Sequence, residues 1–263
     1  MCLLSSVPGQ AVTKPFGDHF ADVANCYADF RPRYPAALFD WLADRAPDLS
    51  LAWDCAAGTG QASVPLADRF AQVVATDASR AQIASAVPHP RIHYRVAPAQ
   101  RSGLDDRTVD LVTVAQALHW LDLDAFHAEV RRVVKPGGLL AVWTYGMHST
   151  SDKSIDALVR YFYSHIVGAY WPPERRHVET GYRDLPFPFA DIAAPAFAMT
   201  AHWSLPQLLG YLRSWSATAR YVRERGVDPV LELGAQLATL WGDTDAALTI
   251  TWPLALRAGR VAP

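Results

Sequence analysis

The 263-residue chain has little of what marks several large classes of protein. Its three cysteines, Cys2, Cys26 and Cys55, are too few and too scattered for a disulfide framework or a metal cluster. No basic run is longer than a pair of residues and the formal net charge is −2, which argues against nucleic acid as a partner. No segment approaches the roughly 20 apolar residues of a membrane helix, and the first residues lack the basic region of a secretory signal. We therefore expect a cytoplasmic protein that binds no metal, membrane or nucleic acid.

What is present is a chain with 51% apolar and 19% charged residues, the composition of a globular protein. Up to Tyr145, short apolar runs alternate with amphipathic stretches, which indicates strands joined by helices. This alternation predicts an α/β fold with a doubly wound, mainly parallel sheet of seven strands. The expected strands lie at 51–55, 73–77, 92–96, 109–115 and 139–145. The segment 197–204 could form a sixth strand, and 248–260 is expected as a final strand pair or as one long strand. The expected helices lie at 36–45, 61–70, 79–86, 121–134 and 153–168, with others between 205 and 240.

The alternation stops after Tyr145, but no repeat or low-complexity linker separates the two halves. We therefore predict one domain over 1–263. Its core would cover 16–145, and a helical lid over the substrate would occupy most of 146–245. The final strand of the sheet would lie within 246–260.

A glycine-rich turn follows the first expected strand. Gly58 and Gly60 allow a ligand to approach the backbone closely, since a Cβ at either position would obstruct it. Asp54 closes the strand before the turn, and Asp77 ends the next strand, where a carboxylate can accept both hydroxyls of a ribose. Asp54 would repel a pyrophosphate, and Ser63 stands where a dinucleotide turn has glycine or alanine. The pattern favours a nucleoside with an amino group over a nicotinamide dinucleotide, and a tight turn that binds nothing is the alternative.

Four motifs occur in order at 54–60, 75–79, 109–120 and 132–143. Together they resemble the successive motifs of class I S-adenosylmethionine-dependent methyltransferases. Within that class they look most like the small-molecule branch called methyltransferase type 11, which includes trans-aconitate-methyltransferase-like proteins. The resemblance implies a Rossmann-like fold, S-adenosyl-L-methionine as the cofactor, and methyl transfer as the activity.

The resemblance also implies which residues hold the cofactor. The turn from Ala56 through Gly58 to Gly60 would run beside the methionine part. Asp54 would face the ammonium group, directly or through water. Asp77 would bind the ribose hydroxyls.

Other residues of the core would surround the adenine and the sulfur. Adenine would lie beside Ala78 and against the loop after the third strand, where Ala99 and Gln100 are the expected contacts. Many relatives have an acid where Gln100 stands, but an amide can donate as well as accept hydrogen bonds. Gln116, directly after the fourth strand, would meet the cofactor near its sulfonium.

A segment before the first strand would fold over the cofactor if the resemblance extends there. Tyr27 could approach the sulfonium, because aromatic faces attract cations. Arg31 could pair with the methionine carboxylate. The alternative is that Tyr27 is a packing residue and Arg31 a surface charge.

His119 is the candidate catalytic residue. It comes just after the fourth strand, on the loop that faces the transferable methyl group in the family, and histidine titrates close to neutral pH, as a base should. Alternatively, His119 packs or hydrogen-bonds below the cofactor. An Asn/Asp-Pro-Pro-aromatic motif, typical of enzymes that methylate bases or protein amides, is missing at this point. We therefore expect a small-molecule acceptor, with a carboxylate or hydroxyl oxygen as the first choice.

Arginines in the second half could bind a carboxylate. On a helix, Arg213, Ala217 and Arg220 would share one face, and the segment 170–177 also combines aromatic residues with arginine. A solvated helix face is the alternative. His202 has no motif that places it near the methyl group, and we expect it to be structural.

Two other functions stay open at the level of sequence. One is a non-catalytic protein that keeps the cofactor-binding fold for regulation, and the other is a nicotinamide-dependent oxidoreductase. For the oligomeric state we expect a monomer or a homodimer.

Overall fold

The computed structural model describes residues 32–262, so the predicted cofactor residues Tyr27 and Arg31 lie outside the described residues. The strands are β1 (Leu51–Cys55), β2 (Gln72–Asp77), β3 (Ile92–Val96), β4 (Val109–Ala115), β5 (Val134–Tyr145), β6 (Ala190–Asp191), β7 (Phe197–Trp203) and β8 (Leu248–Arg260). The α-helices are α1 (Ala36–Ala43), α2 (Ser63–Ala67), α3 (Arg80–Ala84), α4 (Leu123–Val133), α5 (Lys153–Tyr161), α6 (Arg175–Glu179), α7 (Leu205–Arg213), α8 (Ser216–Arg225) and α9 (Val230–Trp241).

The strands form one sheet in the order β3-β2-β1-β4-β5-β8-β6, and β7 also pairs with β8. Strands β1 to β5 are parallel, whereas β8 runs antiparallel to β5. Leu254 of β8 pairs with Tyr145 of β5 on one side and with Phe197 of β7 on the other. Because β6 also pairs with β8 across from β5, β6 and β7 fill one position at this edge. The strands of the described part thus occupy seven positions, and the predicted α/β, doubly wound fold is confirmed.

The strand order places the ends of β1 and β4 side by side. The chain moves from β1 outward to β2 and β3, and then returns to β4 on the other side of β1. In such sheets the crevice beyond the carboxyl ends of the strands, where the order reverses, is the usual ligand site. Residues 109–114 of β4 are all buried, as expected for a central parallel strand.

Two layers of apolar side chains cover the two faces of the sheet. On one face, Phe39 of α1 packs edge-on against Trp143 of β5, with ring centroids 6.1 Å apart, and the same cluster includes Trp215 from the second half. On the other face, Trp53 of β1 packs against Phe126 of α4, also at 6.1 Å. The helices of the second half therefore share a core with the sheet. The division into one domain with a lid stays a prediction.

The Lys-Pro-Gly-Gly segment at 135–138 lies inside a strand. The sequence predicted a helix over 121–134 and a strand from 139, but α4 ends at Val133 and β5 begins at Val134. Gly137 has a φ of 79°, and the pairing of β4 with β5 shifts between Val109 and Leu111. The segment is therefore an irregular first part of β5.

The predicted helix over 153–168 is not uniform. It is α-helical only as far as Tyr161 and continues as a π-helical turn over Phe162–Ile166. A shorter 3-10 turn follows at Gly168–Tyr170. None of the helices within 32–262 is both long and apolar enough to cross a membrane.

The predicted shared face of Arg213, Ala217 and Arg220 is wrong. α7 ends at Arg213 and α8 begins at Ser216, because Trp215 has extended backbone and buries its ring in the core. The Nε of Arg213 donates to the Asp228 carboxylate at 2.7 Å. These arginines therefore do not form the predicted carboxylate-binding face.

Candidate cofactor and acceptor site

The turn after β1 has an open side, as close approach of a ligand requires. Ala56 and Gly58 have left-handed φ values of 54° and 58°. The N–H of Ala57 donates to the carbonyl of Thr76 at 3.0 Å, which holds the turn against β2. A Cβ at Gly58 would meet only the Gln82 Oε1, at 3.6 Å, among the described residues. Within that part of the chain, the space over Gly58 is open.

Gly60 leaves room for the side chain of Tyr94, which the sequence did not predict. Its φ is 91°, and a Cβ at this position would lie 2.2 Å from the hydroxyl oxygen of Tyr94 on β3. That oxygen is buried and has no hydrogen-bond partner in the part of the chain that the structure describes. Burial, with a smaller contribution from the charge of Asp54, raises the pKa of Tyr94 to about 12. A side chain at Gly60 would therefore be obstructed by Tyr94, and the predicted contact of Gly60 with the cofactor, through its backbone, stays a prediction.

Asp77, at the end of β2, holds two backbone segments. One carboxylate oxygen accepts from the N–H of Gly58 at 2.9 Å, and the other from the N–H of Ser79 at 2.8 Å. The side chain is half-buried. Asp77 thus reaches the glycine turn, and its role in binding ribose hydroxyls stays a prediction.

Asp54 is completely buried under the turn. One of its oxygens accepts from the Ser63 hydroxyl at 2.6 Å and the other from the Thr113 hydroxyl at 2.8 Å. Burial raises the pKa of Asp54 to about 6, the two hydroxyl donors oppose this rise, and the charge of Asp77 adds to it. Its burial corrects the expectation of a direct contact with the cofactor ammonium. Ser63 and Thr113, which the sequence analysis did not connect with Asp54, explain how the buried acid is tolerated.

Gln116, which follows β4, directs its amide towards β5. Its φ is 59°. The side-chain nitrogen donates to the Tyr145 carbonyl at 3.0 Å, while Oε1 accepts from the Tyr145 N–H at 3.3 Å and from the Thr144 hydroxyl. These bonds join the ends of β4 and β5. The predicted contact near the sulfonium would therefore need the backbone of Gln116 or its remaining amide hydrogen.

The predicted adenine contacts lie on the outer part of the sheet edge. Ala78 and Gln100 are exposed, and Ala99 is half-buried against the second core layer. Their roles stay predictions.

His119 lies in the 3-10 turn Leu118–Trp120 that follows β4. Its Nδ1 is 2.9 Å from the hydroxyl oxygen of Tyr182. Burial, followed by the charges of Arg175 and His177, lowers the pKa of His119 to about 3. The expectation that His119 titrates close to neutral pH is therefore wrong. The ring is uncharged at neutral pH and is a weak base.

Tyr182 is a part of the site that sequence reasoning missed. It is fully buried and has a φ of 62°. Burial raises the pKa of its hydroxyl well above the usual range, while interactions with the Thr144 side chain and the Leu118 backbone oppose the rise. No motif marks Tyr182, because only the fold brings this residue of the second half to the ends of β4 and β5.

Similar proteins agree on one family. The family described as methyltransferase domain matches residues 53–142. A Dictyostelium discoideum protein named as a candidate methyltransferase is 32% identical over 235 residues, which cover 88% of this chain and 89% of that protein. A Mycobacterium tuberculosis protein named as an uncharacterized methyltransferase is 32% identical over 234 residues, 87% of this chain and 90% of that one. This chain is a class I S-adenosylmethionine-dependent methyltransferase. A solved structure from Anaeromyxobacter dehalogenans, named as a candidate type II methyltransferase, is 47% identical with a TM-score of 0.84, covering 89% of this chain and 99% of that one.

Family membership decides between the three functions that the sequence left open. The methyltransferase uses S-adenosyl-L-methionine as its cofactor, and the oxidoreductase and the non-catalytic protein are set aside. The open turn at Gly58 and the half-buried carboxylate of Asp77 fit such a cofactor. Because these relatives are named for methyl transfer in general, the trans-aconitate branch stays a prediction.

Proposed function

We propose that the methyltransferase transfers a methyl group to an oxygen of a small molecule, a carboxylate or a hydroxyl. The observation that carries the proposal is the position of His119, a half-buried ring at the carboxyl end of β4 with Nδ1 held by Tyr182. When bound, S-adenosylmethionine supplies an electrophilic methyl group on a positively charged sulfur. The residues of the chain then mainly have to align the acceptor and exclude water.

The cofactor would lie across the carboxyl ends of β1, β2 and β4. The reversal of strand order beside β1, the open side of Gly58 and the position of Asp77 against the glycine turn support this placement. Asp54 would act from below, by holding the turn through Ser63. The residues proposed to contact the cofactor are Ala56, Gly58, Asp77, Ala78, Ala99, Gln100 and the backbones of Gly60 and Gln116, with Tyr27 and Arg31 from outside the described residues.

His119 is held at one ring nitrogen, and its other ring nitrogen has no hydrogen bond in the described part of the chain. Nδ1 is 2.9 Å from the hydroxyl oxygen of Tyr182. A neutral imidazole donates from one ring nitrogen and accepts at the other, according to its tautomer. Nε2 can therefore donate to a carboxylate oxygen of the methyl acceptor or accept from its hydroxyl group.

The packing of helix α6 beside the site supports a small acceptor. Helix α6 packs against β5 and against the 3-10 turn that holds His119. The second half therefore reaches the carboxyl edge of the sheet, where it can enclose a small molecule. Proposals of a cytoplasmic location and of a monomer or homodimer rest on the sequence alone.

Asp77 gives the direct test of the cofactor placement. We expect Asp77→Ala to weaken binding of S-adenosylhomocysteine by about tenfold or more, because hydrogen bonds to the ribose are lost. Isothermal titration calorimetry measures the affinity, and circular dichroism verifies the fold, since Asp77 also holds the N–H groups of Gly58 and Ser79. Asp68→Ala removes an acid of the same charge from an exposed position and serves as the control.

The activity itself is tested with radiolabelled S-adenosylmethionine and the small molecules of a cell extract. We expect the label to move to at least one small molecule. Binding that Asp77→Ala leaves unchanged would contradict the ribose placement. Label that moves only to protein or nucleic acid would contradict the proposed acceptor class.

A further inference from the structure

We propose that Arg175 binds a carboxylate group of the methyl acceptor, so that the enzyme forms methyl esters. This inference rests on the proposed function and selects the carboxylate from the two kinds of oxygen that the proposed function allows. Arg175 lies at the start of α6, in the segment 170–177.

The guanidinium of Arg175 is held in place on one side. Its Nε donates to the hydroxyl oxygen of Tyr163 at 2.9 Å, and that hydroxyl donates to Glu179 at 2.6 Å. Its Cζ lies 4.5 Å from the ring centroid of Trp171 and 5.5 Å from that of Tyr163. Stacking and the Nε bond together fix the plane of the guanidinium, as recognition of a planar anion requires.

The other side of this guanidinium has no partner in the described part of the chain. Arg175 is half-buried, makes no ion pair there, and its two terminal nitrogens make no hydrogen bond there. Other arginines of the structure are paired, Arg213 with Asp228 at 2.7 Å and Arg132 with Glu129 at 2.8 Å. The two terminal nitrogens of Arg175 can therefore donate together to the two oxygens of one carboxylate.

Arg175 lies close to the position proposed for the methyl acceptor. Helix α6 packs against β5 and against the turn Leu118–Trp120. The charge of Arg175 contributes to the lowered pKa of His119 and opposes the rise in the pKa of Tyr182. An anion between Arg175 and His119 would therefore lie at the carboxyl end of β4, beside the proposed cofactor site.

The chemistry of a carboxylate matches the residues present. A hydroxyl acceptor must lose a proton, and a base with a pKa near the working pH does this best. His119, with a pKa of about 3, is a poor base of this kind. A carboxylate is already ionised at neutral pH. Its oxygen forms the bond to the methyl carbon as the carbon–sulfur bond breaks, the electron pair of that bond stays on sulfur, and a neutral ester forms without release of a proton.

The experiment compares Arg175→Gln and Arg175→Lys with the wild type and with Arg176→Gln. Arg176 is exposed, lies on the same helix and makes no side-chain hydrogen bond or ion pair among the described residues, so Arg176→Gln is the matched control. The probe is the anion-exchange-retained fraction of small molecules from a cell extract, incubated with radiolabelled S-adenosylmethionine. Mild alkali releases volatile methanol from methyl esters and leaves methyl ethers intact. Calorimetry with S-adenosylhomocysteine shows whether each variant keeps the cofactor site.

We expect alkali-labile label in this fraction. Its initial rate of formation in dilute extract should fall by about 30-fold or more in Arg175→Gln, because the anion loses its charged partner. Arg175→Lys should keep part of the rate, since it has the charge without the planar fork. Cofactor affinity should be unchanged in both variants, and Arg176→Gln should behave as the wild type.

Two results would overturn the inference while the proposed function stands. One is label only in alkali-stable products. The other is a rate for Arg175→Gln that equals that of Arg176→Gln. Absence of any labelled small molecule would instead contradict the proposed function, and this inference with it.

Discussion

At the residue scale, His148 is a buried titratable group without a hydrogen-bond partner among the described residues, and its pKa is shifted as a result. It lies 5% exposed among aromatic rings, with centroids 5.7 Å from Tyr211 and 5.5 Å from Trp252. Neither ring nitrogen has a hydrogen-bond partner in the described part of the chain. Burial lowers the pKa of His148 to about 4, and the charge of Asp156 opposes the shift. Asp54, by contrast, is equally buried but accepts from two hydroxyls.

We expect His148→Phe to become more stable relative to the wild type as the pH falls. The pKa of His148 is about 4 in the folded protein and close to 6.5 in the unfolded chain. The unfolded chain therefore binds more protons between these values, and the wild-type free energy of unfolding declines there as the pH falls. The variant lacks this decline. The difference in free energy of unfolding between His148→Phe and the wild type should therefore grow to at most about 3 kcal/mol near pH 4. Denaturant unfolding between pH 7.5 and pH 4.5 measures it.

The exposed His202, replaced by Phe in the same way, controls for the loss of an imidazole. A difference in free energy of unfolding between His148→Phe and the wild type that stays constant over this pH range would contradict the lowered pKa of His148.

At the element scale, the two glycines of the turn after β1 have different surroundings. Gly58 has open space over its Cα, whereas Gly60 has the hydroxyl of Tyr94 against it. Both have positive φ, so a side chain strains the backbone at either position, but only at Gly60 does it also clash. β3 therefore limits the space at Gly60, whereas the space at Gly58 is open among the described residues.

We expect Gly60→Ala to destabilise the protein clearly more than Gly58→Ala, which should cost about 1 kcal/mol for the backbone alone. Tyr94→Phe should be neutral or stabilising by itself, because the hydroxyl it removes is buried without a partner in the described chain. The double variant Gly60→Ala/Tyr94→Phe should recover part of the loss. Thermal unfolding measures the stabilities, and binding of S-adenosylhomocysteine should suffer more from Gly58→Ala. Equal stabilities of the two glycine variants would contradict this division of the turn.

The elements differ in how well the sequence predicted them. The bounds of β1, β3 and β4 match the predicted ones, because each contains β-branched or aromatic residues and is limited by turn residues. The segment 248–260 forms one long strand, which is one of the two forms predicted for it. The helices are less well predicted, and the break at Trp215 was missed because no glycine or proline marks it. The glycine turn after β1 could be predicted from local sequence, but Tyr94, which lies against Gly60, could not, because it comes from another strand. Tyr182 could not, since it depends on packing between distant parts of the chain.

At the scale of the whole molecule, the second half is joined to the sheet by packing and by hydrogen bonds. Trp143 of the sheet and Trp215 of the second half belong to one cluster of buried side chains. On the other face, Tyr182 contacts His119 after β4. A cover that shares both core layers with the sheet should not unfold separately from it.

We therefore expect one cooperative unfolding transition. Tryptophan fluorescence, which reports on both halves, and far-ultraviolet circular dichroism should give the same midpoint. Addition of S-adenosylhomocysteine at about 100 times its dissociation constant should stabilise the protein by about 2.7 kcal/mol and shift both signals together. Two separate transitions, or a shift in only one signal, would contradict the single domain that the sequence predicts.

Backbone strain is concentrated at the carboxyl edge of the sheet. Ala56, Gln116 and Tyr182, after β1, after β4 and beside β5, all have left-handed φ without being glycine. Each such residue costs roughly 1–2 kcal/mol that a glycine would not. This edge is thus where the chain could most easily be made more stable by substitution, and where such engineering would most readily disturb catalysis. Selection for thermostability and selection for turnover would therefore favour different residues at these three positions.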